Sequence, residues 1–466
     1  MKPDLLLICL DQLSALAIGR GDTPTIDALA AGDSSFTTAV TACPLCMPAR
    51  ASFWSGLLPH RTGVTSNGRW AAVPKWPTGR KTLGRILTAS GYACRHVGKC
   101  HDAGSLDGFT CVPETEQHIA AEHPAWPLHG DSLRDVATTT AACAILAEPA
   151  GDAPRCLAVD LNNPHDICGW IGDYQKSLCR VDPPGELPEL PFNHAPADPA
   201  VLPRSLQYVC CAHNRQAQVT DFTTTDWRRY IAAYRHYVRR ADADVATILA
   251  ALRSSGRADR TLVLLWTDHG DGMGAHALAT KHTSFYEESV RVPFIVTGPG
   301  VPAGQLVNDT LVSLTDLLPT ICGLVGADVP ACDGVDLSGW LGAARPRQVR
   351  SQVVSEWWSE WGSTVEPGRM LRDGRWKYVH YREDGREQLF DLAADPGEMT
   401  DLARDSAHID QLVQMRAALE AHIAATADPY PTLAAQADPR WRTHAPGQLQ
   451  HVGPTAPQIW EQRRRS

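Results

Sequence analysis

Short apolar runs alternate with helical patterns along the first part of the chain, and this alternation limits the fold more than any other feature. The apolar runs predict buried strands at 4–10, 92–98, 156–161 and 261–267. The helical patterns lie at 23–32, 82–91, 132–148 and 225–252. Strands separated by helices favour an α/β domain with a mostly parallel central sheet flanked by helices, in which ligands gather beyond the carboxyl ends of the strands.

Polar residues follow two of these predicted strands directly. Asp11 and Gln12 come after the first strand, and Asp268 and His269 come after the strand at 261–267. Because parallel strands end at the same edge of a sheet, we expect these side chains to lie near one another.

The pattern changes after about residue 345. Short runs at 352–358, 369–374, 375–381 and 387–392 are followed by a helical pattern at 407–425, which predicts a small antiparallel sheet with one packed helix. We therefore divide the chain into a large α/β domain at 1–345, a small C-terminal α+β domain at 346–428, and a tail or arm at 429–466, through which the chain could form a homo-oligomer. The stretch 163–224 is weakly periodic and predicts a long irregular excursion.

Composition and charge limit the classes of partner and the cellular location expected for this chain. The net charge of −9 and the lack of a long basic stripe argue against nucleic acid. No apolar stretch approaches the length that spans a membrane. The first residues lack a signal-peptide pattern, and the 14 cysteines are spread irregularly, so we expect reduced thiols and a cytoplasmic location.

Two cysteines stand three residues apart in the segment 41–56. Cys43 and Cys46 could be half of a zinc site or a redox pair, but a structural zinc site needs a second pair of ligands, which the sequence does not offer at similar spacing. A buried thiol without a chemical role is a second interpretation. The third takes Cys46 together with the residues that follow it.

The run Cys46, Met47, Pro48, Ala49, Arg50 resembles the Cys-x-Pro-x-Arg signature of the sulfatase family. Ala49 stands where that family usually has serine. The resemblance implies that a formylglycine-generating enzyme oxidises Cys46 to formylglycine. The hydrated aldehyde then attacks sulfur with one hydroxyl and expels sulfate through the other.

The resemblance also implies a metal ion beside Cys46. The ligands would be Asp11, Gln12, Cys46, Asp268 and His269. Oxygen ligands with one imidazole suit a hard cation, Ca²⁺ first and Mg²⁺ or Mn²⁺ as alternatives. Such an ion lowers the pKa of the hydrate and polarises the sulfuryl group.

Other segments of this chain resemble the segments of the family that carry its cationic and acid–base residues. The matching residues are Arg50, Lys99, His101, His165 and Lys281. The lysines are implied to bind sulfate oxygens, and the histidines to act as general acid and base, with the two histidine roles left undivided. We expect His60, Arg61 and His276, which also follow family patterns, to be structural.

Together these patterns predict an alkaline-phosphatase-like fold and a sulfatase whose substrate is a small anionic sulfate ester, namely a sulfated sugar, an aryl sulfate or an alkyl sulfate. A phosphonate monoester or phosphodiester hydrolase with the same site is the alternative, since both substrate classes carry one negative charge. A non-catalytic binding protein and a zinc or redox protein stay open as hypotheses from other classes.

Overall fold

The computed structural model describes the chain over 2–67, 76–77, 79–112, 134–149, 151–175, 185–195, 202–203, 205–206, 218–219, 221–281, 284–341, 350–358, 367–382 and 385–432. The predicted domain boundary at 345, part of the predicted excursion at 163–224 and the tail from 433 onward lie outside these residues. Among the described helices, none combines the length and apolarity needed to cross a membrane.

The strands, numbered in chain order, are β1 Asp4–Asp11, β2 Ser34–Phe36, β3 Ala39–Val40, β4 Ala93–Gly98, β5 Thr110–Cys111, β6 Arg155–Pro164, β7 Thr261–Thr267, β8 Phe294–Thr297, β9 Gln305–Val307, β10 Val312–Ser313, β11 Val353–Trp357, β12 Gly368–Arg372, β13 Trp376–Tyr381 and β14 Glu387–Asp391.

The α-helices are α1 Pro24–Gly32, α2 Cys46–Ser55, α3 Pro59–Thr62, α4 Leu83–Ala89, α5 Arg134–Ala147, α6 Ile167–Gln175, α7 Thr224–Ser254, α8 Glu287–Val290, α9 Leu317–Val325 and α10 Ile409–Thr426. Short 3-10 turns lie at Ala15–Ala17, Ala258–Arg260, Ala275–Ala277, Leu314–Asp316, Ser338–Leu341, Ser406–His408 and Tyr430–Thr432.

The central sheet has eight strands in the order β5-β4-β6-β1-β7-β8-β2-β9. The first five strands in this order, β5, β4, β6, β1 and β7, run parallel to one another. Strand β8 runs antiparallel to both β7 and β2. The predicted mostly parallel sheet is confirmed. Strand β1 lies between β6 and β7, so the ends of these three strands are adjacent.

Helices cover both faces of the sheet, and alternate residues of β1 show why. Leu6, Ile8 and Leu10 belong to one buried apolar cluster, whereas Leu5 and Leu7 belong to another. Successive side chains of a strand point to opposite faces, so a strand without alternating polarity requires an apolar layer on each side.

The longest helix confirms the amphipathic pattern predicted at 225–252. Helix α7 spans 31 residues and begins with a capping box, in which Thr223 and Asp226 each bind the backbone of the other. Its buried face belongs to the same apolar cluster as Leu6 and Ile8. Helix α7 therefore forms a layer behind β1 and carries Tyr230 and Tyr234 toward the strand ends.

The C-terminal part forms a separate antiparallel sheet, in the order β11-β12-β13-β14. Helix α10 packs on it through Leu412, Met415 and Leu419, which contact the sheet residues Leu371 and Tyr378. This sheet with one helix was the predicted arrangement.

Buried ion pairs attach this sheet to the catalytic part. His60 Nδ1 on α3 lies 2.6 Å from Glu356 Oε1 on β11, and Glu287 on α8 pairs with Arg372 at 2.9 Å and with Lys377 at 2.8 Å. His60 therefore serves to hold the two sheets together in this structure.

Candidate active site

Three acidic residues meet where β6, β1 and β7 lie side by side. Arg50 binds all of them: it lies 3.1 Å from Asp11, 3.2 Å from Asp160 and 3.1 Å from Asp268. All four side chains are almost completely buried. An arginine without its carboxylates, or the carboxylates without it, would carry a large desolvation cost, so the four groups form one unit.

Helix α2 carries Cys46 and Arg50 into this unit. It begins at Cys46, two residues before Pro48. Proline in the first turn is compatible with this start, because the first N–H groups of a helix have no intrahelical partner. Arg50 is one turn beyond Cys46, and all ten residues of α2 are buried.

The side chain of Cys46 faces polar groups from several strands. Its Sγ lies 3.2 Å from His269 Nε2 and 3.9 Å from Asp11 Oδ1. Burial and the charge of Asp11 raise the pKa of the Cys46 thiol, but Lys281, Lys99 and His269 lower it more, and the net pKa is well below the usual value. The position thus favours a negatively charged group.

Asp11, Cys46, Asp268 and His269 each offer one ligand atom, and these atoms all lie within 4.8 Å of one another. Burial and the neighbouring charge of Asp11 raise the pKa of Asp268 to about 7, against the opposing effects of His269 and Arg50. A cation between the carboxylates would relieve this repulsion, and the two carboxylates suit a hard divalent ion.

Gln12, the remaining predicted metal ligand, has a different set of contacts. Its amide oxygen accepts a hydrogen bond from Lys281 Nζ at 2.9 Å, and its amide nitrogen donates to Asp271 at 2.7 Å. The backbone N–H of Gln12 donates to Asp268 at 3.1 Å. Gln12 therefore connects Lys281 to the carboxylates.

Two lysines reach the same centre from separate loops. Lys99, which follows β4, forms an ion pair with Asp11. Lys281 is buried, and its charge lowers the pKa of Cys46. Their ammonium groups add positive charge next to the position of Cys46 Sγ, as expected for a site that binds an anion.

The two predicted acid–base histidines differ in placement. Burial together with Lys281 and Lys99 lowers the pKa of His165 to about 3, while Asp11 and Cys46 act in the opposite direction. His101 is half-buried two residues beyond Lys99. Among the described residues, the contacts that join the site do not include His101.

Sequence reasoning missed two buried acids of this centre. Asp160 lies within the apolar run of β6, and Asp271 accepts hydrogen bonds from Gln12 and from the Tyr230 hydroxyl, the latter at 2.6 Å. The available signal was an acid inside a strand that is otherwise apolar, since such a carboxylate needs a buried partner.

Cys43 does not join the cluster around Cys46. Its side chain packs in the apolar cluster that contains Val40, Leu45 and Phe285, and both cysteines are free thiols. The described structure therefore gives the pair separate surroundings, which argues against a shared zinc or redox centre.

Arg61 and His276, which were expected to be structural, have their partners outside the site. Arg61 pairs with Asp333. His276 is buried and stacks on Tyr286 with ring centroids 3.7 Å apart. Neither contacts Cys46 or its carboxylate neighbours through a described hydrogen bond.

Comparisons with known proteins agree with this architecture. The Sulfatase family model matches residues 3–327, and the model for the C-terminal part of N-sulphoglucosamine sulphohydrolase matches 274–425. A Delta 4,5-hexuronate-2-O-sulfatase from Bacteroides thetaiotaomicron is 40% identical over 98% of this chain and 96% of its own length. A choline-sulfatase from Rhizobium meliloti is 29% identical over 86% of this chain and 82% of its own.

Solved structures give the same result. A 2-O GAG sulfatase superposes with a TM-score of 0.92 at 40% identity, covering 98% of this chain and 100% of that one. The phosphonate monoester hydrolase of Agrobacterium radiobacter has a TM-score of 0.72 at 22% identity, over 91% of this chain and 96% of that one. The similarity to the phosphonate monoester hydrolase concerns the fold alone.

Proposed function

Because this chain belongs to the sulfatase family and is a sulfuric ester hydrolase, we propose that it removes the 2-O-sulfate from a Δ4,5-unsaturated hexuronate. The observation that carries the substrate is the 40% identity, over nearly the whole chain, to a relative named for this reaction. The sulfated sugar is thereby preferred over the aryl and alkyl sulfates that the sequence left open.

The chemistry that we propose starts at Cys46. As formylglycine, this residue would supply a hydrated aldehyde, one hydroxyl of which attacks sulfur. His269 lies 3.2 Å from the Cys46 sulfur but is a proposed metal ligand, so we assign acceptance of the proton to His165, whose pKa responds to Cys46. Cys46 Sγ marks the position of the reacting oxygen.

The surrounding side chains stabilise charge in this proposal. Lys99 and Lys281 bind the sulfate oxygens, since both ammonium groups lie beside Cys46 and the carboxylates. Arg50 fixes the three carboxylates. We assign His101 as the group that protonates the leaving hydroxyl, because it is half-buried on the loop of Lys99, where a substrate can reach it.

A divalent ion completes the proposed centre, with Ca²⁺ preferred over Mg²⁺ and Mn²⁺. Asp11, Asp268 and His269 would hold it together with the residue at 46. The ion would polarise the sulfuryl oxygen and lower the pKa of the hydrate. Gln12 is the predicted fifth ligand, and its amide oxygen now binds Lys281.

The substrate proposal is tested by comparing kcat/KM for matched disaccharides. One carries sulfate at position 2 of the unsaturated uronate, and the other carries it at position 6 of the hexosamine. We expect the first to be preferred by on the order of 10³-fold or more, because a site built to bind polar groups discriminates strongly. Sulfate release is measured by ion chromatography.

An aryl phosphonate monoester serves as the third substrate. We expect turnover of this compound to be far below that of the 2-O-sulfate. A preference for the phosphonate would contradict the sulfatase proposal, and equal cleavage of the two disaccharides would contradict the assignment of the substrate.

Calcium is expected to stabilise the folded protein. An ion at about 100 times its dissociation constant raises the free energy of unfolding by about 2.7 kcal/mol, because it binds only the folded chain. The measurement is urea denaturation of chelated protein with and without Ca²⁺.

Asp268→Asn should remove this calcium effect. Asp259→Asn is the matched control, since Asp259 is an exposed acid near the opposite end of β7 and should leave the effect unchanged. A calcium effect that survives Asp268→Asn would place the ion elsewhere.

A further inference from the structure

A second cluster of ligand-type side chains lies next to Asp160, on the side of that carboxylate that Arg50 does not occupy. His96, Cys100 and Cys111 each offer one atom, and these atoms lie within 4.8 Å of one another. His96 is on β4, Cys111 is on β5, and Cys100 is on the loop that follows β4. None of these residues has a role in the reaction proposed above.

The backbone fixes two of the three residues. His96 and Cys111 are direct partners in the parallel pairing of β4 and β5, and the N–H of Val112 donates to the carbonyl of His96 at 2.8 Å. Cys100 lies just past the end of β4, with its Sγ 3.7 Å from His96 Nδ1. The cluster is therefore held by adjacent strands.

The other nitrogen of His96 has a carboxylate partner. His96 Nε2 lies 2.7 Å from Asp160 Oδ2, and both side chains are buried. A histidine that binds a metal commonly donates its second N–H to a carboxylate, which fixes the orientation of the ring and increases its basicity. Here this partner directs Nδ1 toward the two thiols.

From this geometry we propose that His96, Cys100 and Cys111 bind a thiophilic transition-metal ion, with Zn²⁺ as the preferred ion. Two sulfur ligands and one imidazole suit Zn²⁺, while the oxygen-rich set around Cys46 suits a hard cation. Both cysteines are exposed, so solvent can supply a fourth ligand.

The separation of the ligand atoms agrees with a tetrahedral ion. Zn–S bonds of about 2.3 Å and Zn–N bonds of about 2.0 Å place sulfur and nitrogen about 3.5 Å apart at a tetrahedral angle. The observed separation between Cys100 Sγ and His96 Nδ1 is 3.7 Å. This pair of ligand atoms therefore needs little adjustment, and Cys111 Sγ lies within 4.8 Å of both.

A metal at this position would join β5 to the loop that follows β4. Strand β5 has only two residues and lies at the edge of the sheet, and Cys100 is next to Lys99. The ion would tie both to the buried ring of His96. Its effect is thus to anchor the loop that carries Lys99.

The test measures Zn²⁺ itself and does not depend on catalysis. Reduced protein carrying Cys46→Ser, with Ca²⁺ in excess, is dialysed against Zn²⁺, and bound zinc is counted by elemental analysis. The Cys46→Ser background removes the thiol that could bind zinc in the other cluster. We expect one equivalent of Zn²⁺ per chain.

Replacing Cys111 or Cys100 by serine should weaken zinc binding by more than about 100-fold, beyond the 10–100-fold typical of a change outside the ligands. Cys143→Ser is the matched control, because Cys143 is a partly exposed thiol on α5 outside the cluster, and should have no effect. Co²⁺ in place of Zn²⁺ should give a sulfur-to-cobalt charge-transfer band that Cys111→Ser removes.

The absence of zinc binding, or zinc binding that Cys100→Ser and Cys111→Ser leave unchanged, would overturn the proposal. A cobalt complex without the sulfur band would do the same. Because the readout is bound metal, these outcomes are independent of whether the sulfate ester is cleaved.

Discussion

Cys46→Ser is expected to reduce the turnover of the sulfated substrate by roughly 10⁵–10⁶-fold, the scale seen when a covalent nucleophile is removed from an enzyme. A serine hydroxyl can attack sulfur, but it has no second hydroxyl on the same carbon to expel sulfate. Any reaction should therefore stop after one turnover. The measurement is steady-state sulfate release together with the mass of the peptide that contains residue 46.

Cys43→Ala is the matched control for this substitution. Cys43 lies three residues earlier and is also buried, but its side chain packs among apolar residues such as Leu45 and Phe285. We expect this variant to retain turnover and to lose only a little stability. Full activity of Cys46→Ser, or an unmodified thiol at position 46 in the active native protein, would exclude the proposed chemistry.

Arg50→Met should lower the free energy of unfolding of the metal-free protein by about 3–5 kcal/mol, the usual result when one partner of a buried ion pair is removed. Its guanidinium contacts Asp11, Asp160 and Asp268 through three different nitrogens. Methionine fills a similar volume but leaves the carboxylates unpaired. Urea denaturation after chelation measures the loss.

Arg50→Lys tests whether the positive charge at position 50 is sufficient for stability or whether the shape of the guanidinium is also required. A lysine keeps the positive charge but has one compact ammonium group, which cannot bind three carboxylates as the planar guanidinium does. We therefore expect an intermediate loss of stability. Ca²⁺ should restore part of the stability of both variants, because a cation next to Asp11 and Asp268 offsets their repulsion. An unchanged unfolding midpoint in Arg50→Met would contradict the structural role of Arg50.

The fold could be predicted well where local pattern and burial agree. The run at 4–10 is apolar without alternation, which requires a strand covered on both faces, and β1 is such a strand. The start of α2 at Cys46 has no local signal, because Leu45 precedes it and offers no side-chain hydrogen bond to the first turn. Proline restricts a helix only after its first turn.

The composition of the site could be predicted only in part. Asp11 and Asp268 follow strands, so their meeting at one sheet edge follows from topology. Asp160 was missed because the relative order of β4, β6 and β1 is not written in any local pattern. The contact between Gln12 and Lys281 joins residues 269 positions apart, and such pairs depend on packing of the whole chain. The cytoplasmic location and a homo-oligomer formed through the tail stay predictions.

The burial of α2 has a consequence for the timing of maturation. Cys46 is only 1% exposed, and every residue of its helix is buried. A second enzyme that oxidises this side chain needs the segment in an extended, accessible form, which the finished fold does not offer. The modification that we propose must therefore precede the closure of the catalytic part. The fraction of modified molecules then depends on the rate of Cys46 oxidation relative to the rate of folding. Conditions that accelerate folding would reduce the fraction of active molecules without changing the amount of folded protein.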